Sequence, residues 1–382
     1  MQKTLLRKGI AFTVILLFIG VSIIPSVSTI VEKKSNTLTF NDGSLSGYVN
    51  DTSMNPIEGA RLRVCFHGTY EENNSDSSGY YHVTNIPICN CTKNCTAFKE
   101  GYKPECVWLS IYEDTIYDFV LTPSKTLYVG GSGEGNYSKI QDAIDNASDG
   151  DTVFVYNGTY IEILKVDKTI NLIGENRDNT IIDANREIDA IYIYAPNVNI
   201  VNFKIQNAFR AGINLNSNTS YNINISNNIF CFNGHGIHPY FSNKNLIISN
   251  NIFVNNNNGF TLVCSSNAII YNNKFINNSL WAMGLYLSSN CDVFHNNITH
   301  GQKYGIFLYG LSHSNYFHQN NFINNSMNAY FILLSHRNKW NENYWEKTLI
   351  PFYPIIGSLG LLIPCWLNFD WRPVKEPYDI EV

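Results

Sequence analysis

Apolar and polar residues alternate in a pattern that repeats about every 23 residues between Ile223 and Trp345. In each period a large apolar side chain lies three residues before a recurring asparagine, and another lies two residues after it. The intervals between these asparagines are 23, 22, 23, 24 and 23, and the residues are Asn228, Asn251, Asn273, Asn296, Asn320 and Asn343. A fixed period with internal alternation is typical of a solenoid. The sequence therefore predicts a parallel β-helix with about three short strands and three corners in each coil.

The asparagine column has a structural explanation. Stacked coils lie about 4.8 Å apart, so equivalent amides form a ladder in which each side-chain carbonyl accepts a hydrogen bond from its neighbour. Asparagine also tolerates the left-handed backbone of a tight corner. We therefore expect the six asparagines to be structural and to lie at the corners themselves.

A small residue followed by an apolar one recurs once in each period. We interpret it as the turn into the next strand; the small residues are Gly212, Gly236, Gly259, Gly284, Gly305 and Ala329.

Both ends of the solenoid carry candidate caps. Residues 137–147 have the apolar spacing of an amphipathic helix, which would cover the hydrophobic end of the first coil. Residues 349–367 are uncharged, but three prolines and two glycines interrupt them, so a capping segment is favoured over a membrane span. The expected boundaries are 125–345 for the solenoid and 346–382 for an irregular C-terminal cap.

Residues 43–122 combine short apolar strands with dense Pro and Gly turns, a pattern that favours a small β-sandwich. The segments Gly47-Tyr-Val, Pro56-Ile-Glu-Gly-Ala60 and Asp76-x-x-Gly79-Tyr80 resemble the carboxypeptidase regulatory-like family, a transthyretin-like sandwich. The resemblance implies an accessory module without catalytic residues. Five cysteines depart from that family's pattern, and we expect disulfides with one thiol left over: Cys65, Cys89, Cys91, Cys95 and Cys106.

The second domain also carries a resemblance. Ile140-Gln-Asp-Ala-Ile, Gly150-Asp-Thr-Val and Gly158-Thr-Tyr are similar to the start of pectin-lyase-like right-handed β-helices. With the Asn-x-Phe coils, residues 125–345 resemble the NosD family, named for a periplasmic protein associated with copper delivery to nitrous oxide reductase. The resemblance implies an all-β fold: the sandwich, then a right-handed parallel β-helix.

The first 28 residues have the order of a signal peptide: Lys3, Arg7 and Lys8, an apolar run of about 15 residues, and small residues up to Ser28. Cleavage is favoured over an uncleaved membrane anchor. Both alternatives place the protein outside the cytoplasm, at the cell surface, in the medium or in a periplasm-like space.

The overall charge narrows the range of partners. A net charge of −5 and a pI near 6.0 argue against nucleic acid, which requires a basic stripe. The sequence predicts no cofactor. It predicts contact with a membrane only if the N-terminal segment remains as an uncleaved anchor.

Paired carboxylates, as in glycosidases, or an acidic Ca²⁺ site with a basic residue would indicate a polysaccharide hydrolase or lyase. Between Lys204 and Lys339 the only acid is Asp292. The early coils are richer, and their candidate catalytic residues are Asp183, Glu187, Asp189 and Arg210. We favour the interpretation that these four side chains are solvated surface charges. We therefore expect no catalysis.

Seven of the nine histidines fall between residues 235 and 336. Cys231, His235 and His238 lie within one period and are donors that copper accepts. We expect these side chains to be ordinary polar residues on the outer surface of the coils and not metal ligands. Copper handling remains an alternative function.

Outward tyrosines on a flat strand face could stack on sugar rings, and the candidates are Tyr240, Tyr286 and Tyr309. The sequence thus predicts an exported protein that binds polysaccharide or a surface glycan without catalysis, with a lyase or hydrolase and copper handling as alternatives.

Overall fold

The computed structural model of the protein describes residues 42–66, 69–89, 91–99, 101–103, 105–111, 113–215, 219–239, 245–333, 335–346, 351–358 and 366–382. The predicted signal peptide lies outside these residues. Within the described part of the chain, no helix has the length and apolar character needed to cross a membrane.

The described residues of the first domain form eight strands that enclose one hydrophobic core. Their bounds are β1 Asp42–Asp51, β2 Arg61–Phe66, β3 Thr69–Asn74, β4 Tyr80–Pro87, β5 Thr92–Phe98, β6 Glu105–Ser110, β7 Asp114–Ile116 and β8 Phe119–Leu121. One sheet has the order β4-β1-β7, with β8 also paired to β1, and the other has the order β3-β2-β5-β6. Alternate residues of both sheets, such as Leu45, Val64 and Phe119, are buried in that core because each sheet has one apolar face.

The described cysteines of this domain include one bridged pair. Cys89 and Cys91 form a disulfide. Cys95 is buried, and burial raises the pKa of its thiol to about 12. The side chain of Cys106 lies outside the described residues, so extensive bridging stays a prediction.

The second domain is a solenoid of parallel strands, and its described residues include one short helix, α1 Ile140–Asn146. Its strands are β9 Thr126–Val129, β10 Thr152–Val155, β11 Gly158–Ile161, β12 Leu164–Val166, β13 Asn171–Gly174, β14 Thr180–Asp183, β15 Asp189–Ile193, β16 Asn199–Val201, β17 Lys204–Gln206, β18 Ala211–Leu215, β19 Asn224–Ser226, β20 Ile229–Cys231, β21 His235–Pro239, β22 Ile247–Ser249, β23 Ile252–Val254, β24 Asn258–Val263, β25 Ile269–Tyr271, β26 Lys274–Ile276, β27 Trp281–Tyr286, β28 Asp292–Phe294, β29 Asn297–Thr299, β30 Tyr304–Tyr309, β31 Tyr316–His318, β32 Asn321–Ile323, β33 Ala329–Ile332, β34 Lys339–Asn341, β35 Tyr344–Trp345, β36 Tyr353–Ser358 and β37 Trp366–Asp370.

These strands form three parallel sheets along the solenoid. Sheet 1 has the order β9-β10-β13-β16-β19-β22-β25-β28-β31-β34-β37, and sheet 2 has the order β11-β14-β17-β20-β23-β26-β29-β32-β35. Sheet 3 has the order β12-β15-β18-β21-β24-β27-β30-β33-β36. Each complete coil, from β10–β12 to β34–β36, contributes one strand to each sheet, and β9 and β37 extend sheet 1 at its two ends. This confirms the predicted all-β fold and its three-strand coils.

The interior of the solenoid contains stacked columns of apolar side chains. In sheet 2 the rings of Phe230 and Phe253 lie 4.9 Å apart, and those of Phe253 and Phe275 lie 4.8 Å apart. Phe322 and Trp345 continue the column with centroids 4.2 Å apart. Each fully buried ring contributes roughly 1.5–3 kcal/mol of hydrophobic stabilisation, so the repeat itself holds the coils together.

The six repeated asparagines form a continuous hydrogen-bonded ladder. Asn228 Nδ2 donates to Asn251 Oδ1 over 3.1 Å, and the same contact recurs at every step to Asn343. All six side chains are fully buried. The ladder ends on the buried carboxylate of Asp370, whose Oδ2 accepts from Asn343 Nδ2 and from Trp345 Nε1, each at 3.0 Å.

The left-handed backbone expected at these asparagines lies one residue earlier. The preceding residues have positive φ, for example 56° at Asn227, 57° at Asn250 and 49° at His295. The expectation that the ladder residue itself makes the corner is therefore wrong. The preceding residue turns the chain, and the ladder residue points inward where its amide stacks.

The repeated glycines lie inside the strands of sheet 3, and the prediction that they mark turns is wrong. Gly236, for example, is the second residue of β21, and Gly259 is the second residue of β24. A Cβ at Gly259 would meet the carbonyl oxygen of Ala282 and would lie 2.8 Å from Phe275 Cδ1. A small residue is required there because the phenylalanine column and the next coil approach so closely.

The Gly259→Ala variant is expected to lose about 1–3 kcal/mol of unfolding free energy, because the added methyl group overpacks a rigid site. The reciprocal change Ala282→Gly, one coil later, is the control and is expected to cost about 1 kcal/mol or less. Thermal and chemical denaturation of both variants measures this. Equal stability of Gly259→Ala and the unchanged protein would contradict the packing argument.

Secondary structure covers both ends of the solenoid. Helix α1 buries Ile140, Ala143 and Ile144 in the solenoid core, and the Glu162 carboxylate accepts hydrogen bonds from its first two backbone N–H groups, at 3.0 and 3.1 Å. At the other end, β36 and β37 pair antiparallel and extend sheets 3 and 1 beyond Trp345. The C-terminal segment is thus partly regular, unlike the irregular cap that its prolines suggested.

Candidate functional site

The outward face of sheet 3 contains most of the polar and aromatic side chains that the sequence singled out. Strand pairing places His235, Asn258, Trp281 and Tyr304 in one column, at equivalent positions of successive coils. Thr261 and Phe307 belong to the neighbouring column, and the residues between the columns, such as Ile306, point into the core. The face changes along its length from a polar cluster to an aromatic strip.

The polar cluster comprises Asp189, Arg210, Asn214, His235, His238, Asn258 and Thr261. At its start, Asp189 is buried and pairs with Arg210, whose Nε lies 2.9 Å from Asp189 Oδ1 and whose Nη2 contacts Oδ2. Asn214 Nδ2 and the backbone N–H of Ala211 also donate to this carboxylate, at 2.6 and 3.0 Å. Both oxygens of this carboxylate are therefore engaged in hydrogen bonds within the protein.

Two histidines follow in the next coil. The rings of His235 and His238 lie 4.7 Å apart and nearly perpendicular. Burial, followed by the proximity of His238, lowers the pKa of His235 to about 4. Burial likewise lowers the pKa of His238. His235 is therefore a neutral imidazole at neutral pH.

The His235 ring is fixed by the following coils. Its Nδ1 lies 3.1 Å from Thr261 Oγ1, and its Nε2 lies 3.2 Å from Asn258 Nδ2. Trp281 Nε1 donates to the same Thr261 oxygen over 3.1 Å. The polar cluster is thus connected to the first side chain of the aromatic strip.

The aromatic strip occupies the later coils of sheet 3, and its side chains are half-buried. It comprises Trp281, Tyr286, Tyr304, Phe307, Tyr309 and Tyr330. Stacked pairs run along it: Trp281 with Phe307 at 5.5 Å, Tyr304 with Tyr330 at 5.5 Å, and Tyr286 with Tyr309 at 4.9 Å. These contacts hold the rings in a fixed array on a flat strand face.

The structure brings some of the predicted site residues together and separates others. Asp189, Arg210, His235 and His238 share the polar cluster, and Tyr286 and Tyr309 share the aromatic strip. Tyr240 lies outside the described residues.

Three other candidates lie elsewhere. Asp183 and Cys231 are on sheet 2, where Gln206 contacts both, with Nε2 2.7 Å from Asp183 Oδ2 and Oε1 3.8 Å from the Cys231 sulfur. Glu187 is exposed between β14 and β15. The two predicted groups, one catalytic and one metal-ligating, are therefore both divided between sheets.

Cys231 is not a partner of the two histidines. It belongs to β20, whereas they belong to β21, and burial raises the pKa of its thiol to about 11. Among the described residues, no three His, Cys, Asp or Glu side chains are grouped so that they could hold a metal ion.

Asn258, Thr261 and Trp281 were not singled out from the sequence. The signal for Asn258 and Trp281 was present, because positions 235, 258, 281 and 304 follow one another at the period of 23. Aligning the coils by this period, and not by residue type, would have placed all four side chains in one column.

The fold and this face define the protein as a parallel β-helix protein with a polar and aromatic outer face on one sheet. Residues 144–358, more than half of the chain, match the family model described as periplasmic copper-binding protein (NosD). The chain belongs to the NosD family, as its resemblance suggested.

Solved structures give weaker similarities. An alginate lyase from Paenibacillus sp. str. FPU-7 is 13% identical over 59% of this chain and 88% of its own, with a TM-score of 0.45. The Agl-KA catalytic domain is 13% identical over 75% of this chain and 64% of its own, with a TM-score of 0.46. The TIE protein of Bacillus anthracis is 13% identical over 25% of this chain and 20% of its own, with a TM-score of 0.19.

The chain thus spans a fifth of the TIE protein and under two thirds of the Agl-KA domain. A search of the curated proteins found no match.

Proposed function

We propose that the protein is an exported or cell-surface carbohydrate-binding protein that holds a glycan on the outer face of sheet 3 without cleaving it. The aromatic strip is the observation that carries this proposal. Six half-buried rings on one flat face, each fixed by stacking on another, present apolar surfaces to solvent at little entropic cost. Aromatic side chains with a polar tip suit a ligand that has both apolar faces and hydroxyl groups.

The arrangement of the acids favours binding over catalysis. The two carboxylate oxygens of Asp189 accept hydrogen bonds from Arg210, Asn214 and a backbone N–H group. Asp183, on another sheet, accepts from Gln206 and from Asn207 Nδ2 at 2.9 Å. A hydrolase needs two carboxyl groups that flank the same bond, one of them free to exchange a proton.

Binding is tested with immobilised polysaccharides and the purified protein. Tyr304→Ala and Tyr309→Ala are each expected to weaken retention about tenfold or more, because truncating an aromatic anchor commonly costs over 1 kcal/mol of binding energy. Tyr271→Ala is the matched control, since Tyr271 stacks on Phe294 at 5.3 Å but belongs to sheet 1. No retention on any polysaccharide, or equal losses in all three variants, would contradict the proposal.

Catalysis is tested by incubating the protein with pectic, alginate and neutral polysaccharides, with and without Ca²⁺. We expect no new unsaturated or reducing ends. Turnover that disappears in Asp183→Asn or Arg210→Ala would establish the lyase or hydrolase alternative.

Copper handling is a second candidate function, favoured by the family description and by the His235–His238 pair. Neutral imidazoles are copper ligands. Saturable Cu²⁺ uptake that is lost in His235→Ala, together with no glycan retention, would favour it.

A further inference from the structure

The network around Asn258 contains a buried polar atom that no described residue satisfies. The Asn258 side chain is 3% exposed, and its Oδ1 has no hydrogen-bond partner among the described residues. An unpaired buried polar atom is costly, and such atoms are rare in folded proteins. This one lies in the outward column of sheet 3, between His235 and Trp281.

A second polar group, the Thr261 hydroxyl, belongs to the same network. In the orientation that the structure gives Asn258, its Nδ2 donates to His235 Nε2, so the single N–H of the neutral ring is on Nδ1 and donates to Thr261 Oγ1. Trp281 Nε1, which can only donate, donates to the same oxygen. Both lone pairs of Thr261 Oγ1 are then occupied, and its hydroxyl hydrogen is left to be donated.

The two neighbouring columns therefore present one acceptor, Asn258 Oδ1, and one donor, the Thr261 hydroxyl, next to the indole of Trp281. Rotating the carboxamide by half a turn exchanges the unpaired acceptor for an unpaired NH₂ group. In both orientations one buried end of Asn258 is left without a hydrogen-bond partner among the described residues.

We propose that Asn258 and Thr261 form a subsite for a hydroxyl group of an uncharged sugar ring, which packs beside Trp281. A sugar hydroxyl is both donor and acceptor, so it matches the pair. This inference rests on the proposed glycan binding and specifies which class of glycan the face accepts.

The charges around the subsite argue against an acidic sugar. The nearest cation in the polar cluster is Arg210, which is committed to Asp189 through two of its nitrogens. Asn214 Nδ2 and the Ala211 N–H also donate hydrogen bonds to that carboxylate. Within the polar cluster no net positive charge is left to compensate a uronate carboxylate, and desolvating one without a partner is unfavourable. The next cation along this face, Lys303, lies over the Tyr304 ring, two coils beyond Asn258.

The experiment measures the affinities of neutral gluco-, manno- and galacto-oligosaccharides against oligogalacturonate and oligoalginate, by calorimetry with the purified protein. We expect a neutral oligosaccharide to bind at least tenfold tighter than either uronate. Asn258→Leu and Thr261→Val are expected to weaken that binding about tenfold each, since each removes one hydrogen bond to the ligand. Thr261→Ser retains the hydroxyl and is expected to restore the affinity.

Asn257→Leu is the matched control, because Asn257 is the exposed neighbour of Asn258 and precedes β24. Thermal denaturation of each variant verifies that it folds. Tighter binding of a uronate would overturn the assignment to uncharged sugars. Wild-type affinity in both Asn258→Leu and Thr261→Val, with binding still lost in Tyr309→Ala, would overturn the subsite and leave the proposed function intact. Absence of any glycan binding would overturn both.

Discussion

Replacing Asn273 by alanine is expected to lower the free energy of unfolding by roughly 2–4 kcal/mol. Asn273 Oδ1 accepts from the backbone N–H and the Nδ2 of Asn251, at 3.0 and 3.1 Å. Its Nδ2 donates to Ile248 O, Tyr271 O and Asn296 Oδ1, at 2.8 to 2.9 Å. The side chain is fully buried, so no water replaces these five contacts and the Asn251 N–H group is left unpaired.

The measurement is chemical denaturation followed by tryptophan fluorescence. Asn257→Ala is the control, because its side chain is exposed one coil earlier and lies outside the ladder. We expect the control to stay within about 0.5 kcal/mol of the unchanged protein. Similar stabilities of the two variants would show that the ladder contributes little.

The period of the sequence was sufficient to predict the solenoid, because backbone pairing between coils requires equivalent residues at a constant spacing. It could not predict the detailed role of each repeated residue. Asparagine suits both a left-handed corner and a buried amide ladder, and only coordinates show that Asn227 takes the first role and Asn228 the second. The glycines are explained by contacts between coils, which a local turn rule does not consider.

Some features had a weaker sequence signal. A second ladder links Asn233, Asn256 and Asn278 through Nδ2–Oδ1 contacts of 3.2 and 3.3 Å, at another corner of the same coils. This ladder has three members, which is too few for its spacing to stand out among the many other asparagines of the sequence. Asp370, which ends the main ladder, lies 27 residues after Asn343 and is not an amide, so the repeat did not predict it.

The candidate site was predictable only in part. The sequence named Asp189 and Arg210 for catalysis and His235 and His238 for a metal, and the structure shows that they form one polar cluster. Cys231 and Asp183 were grouped with them by proximity in the chain. A corner separates each from its supposed partners, because a few residues are enough to pass from sheet 2 to sheet 3.

Acidification from pH 7 to about pH 4 is expected to remove roughly 3 kcal/mol of stability through His235 alone. Burial lowers the pKa of this residue from 6.5 to about 4 in the folded protein. Between these values the unfolded chain binds more protons than the folded protein, so stability rises with pH. The contribution is therefore complete above pH 6.5 and is lost as the pH falls towards 4. The lowered pKa of His238 acts in the same direction.

The measurement is the melting temperature of the unchanged protein and of His235→Gln, from pH 7 to pH 4.5. The variant is expected to be less stable at pH 7, where its network with Thr261 and Asn258 is altered, but to lose less stability on acidification. His82→Gln is the control, because His82 is exposed in the first domain and the variant should keep the full pH dependence. Parallel pH profiles for the unchanged protein and His235→Gln would show that His235 is not buried as a neutral ring. A neutral ring is also what lets His235 Nε2 accept the hydrogen bond from Asn258 Nδ2, so this profile and the glycan affinities test the same network through independent properties.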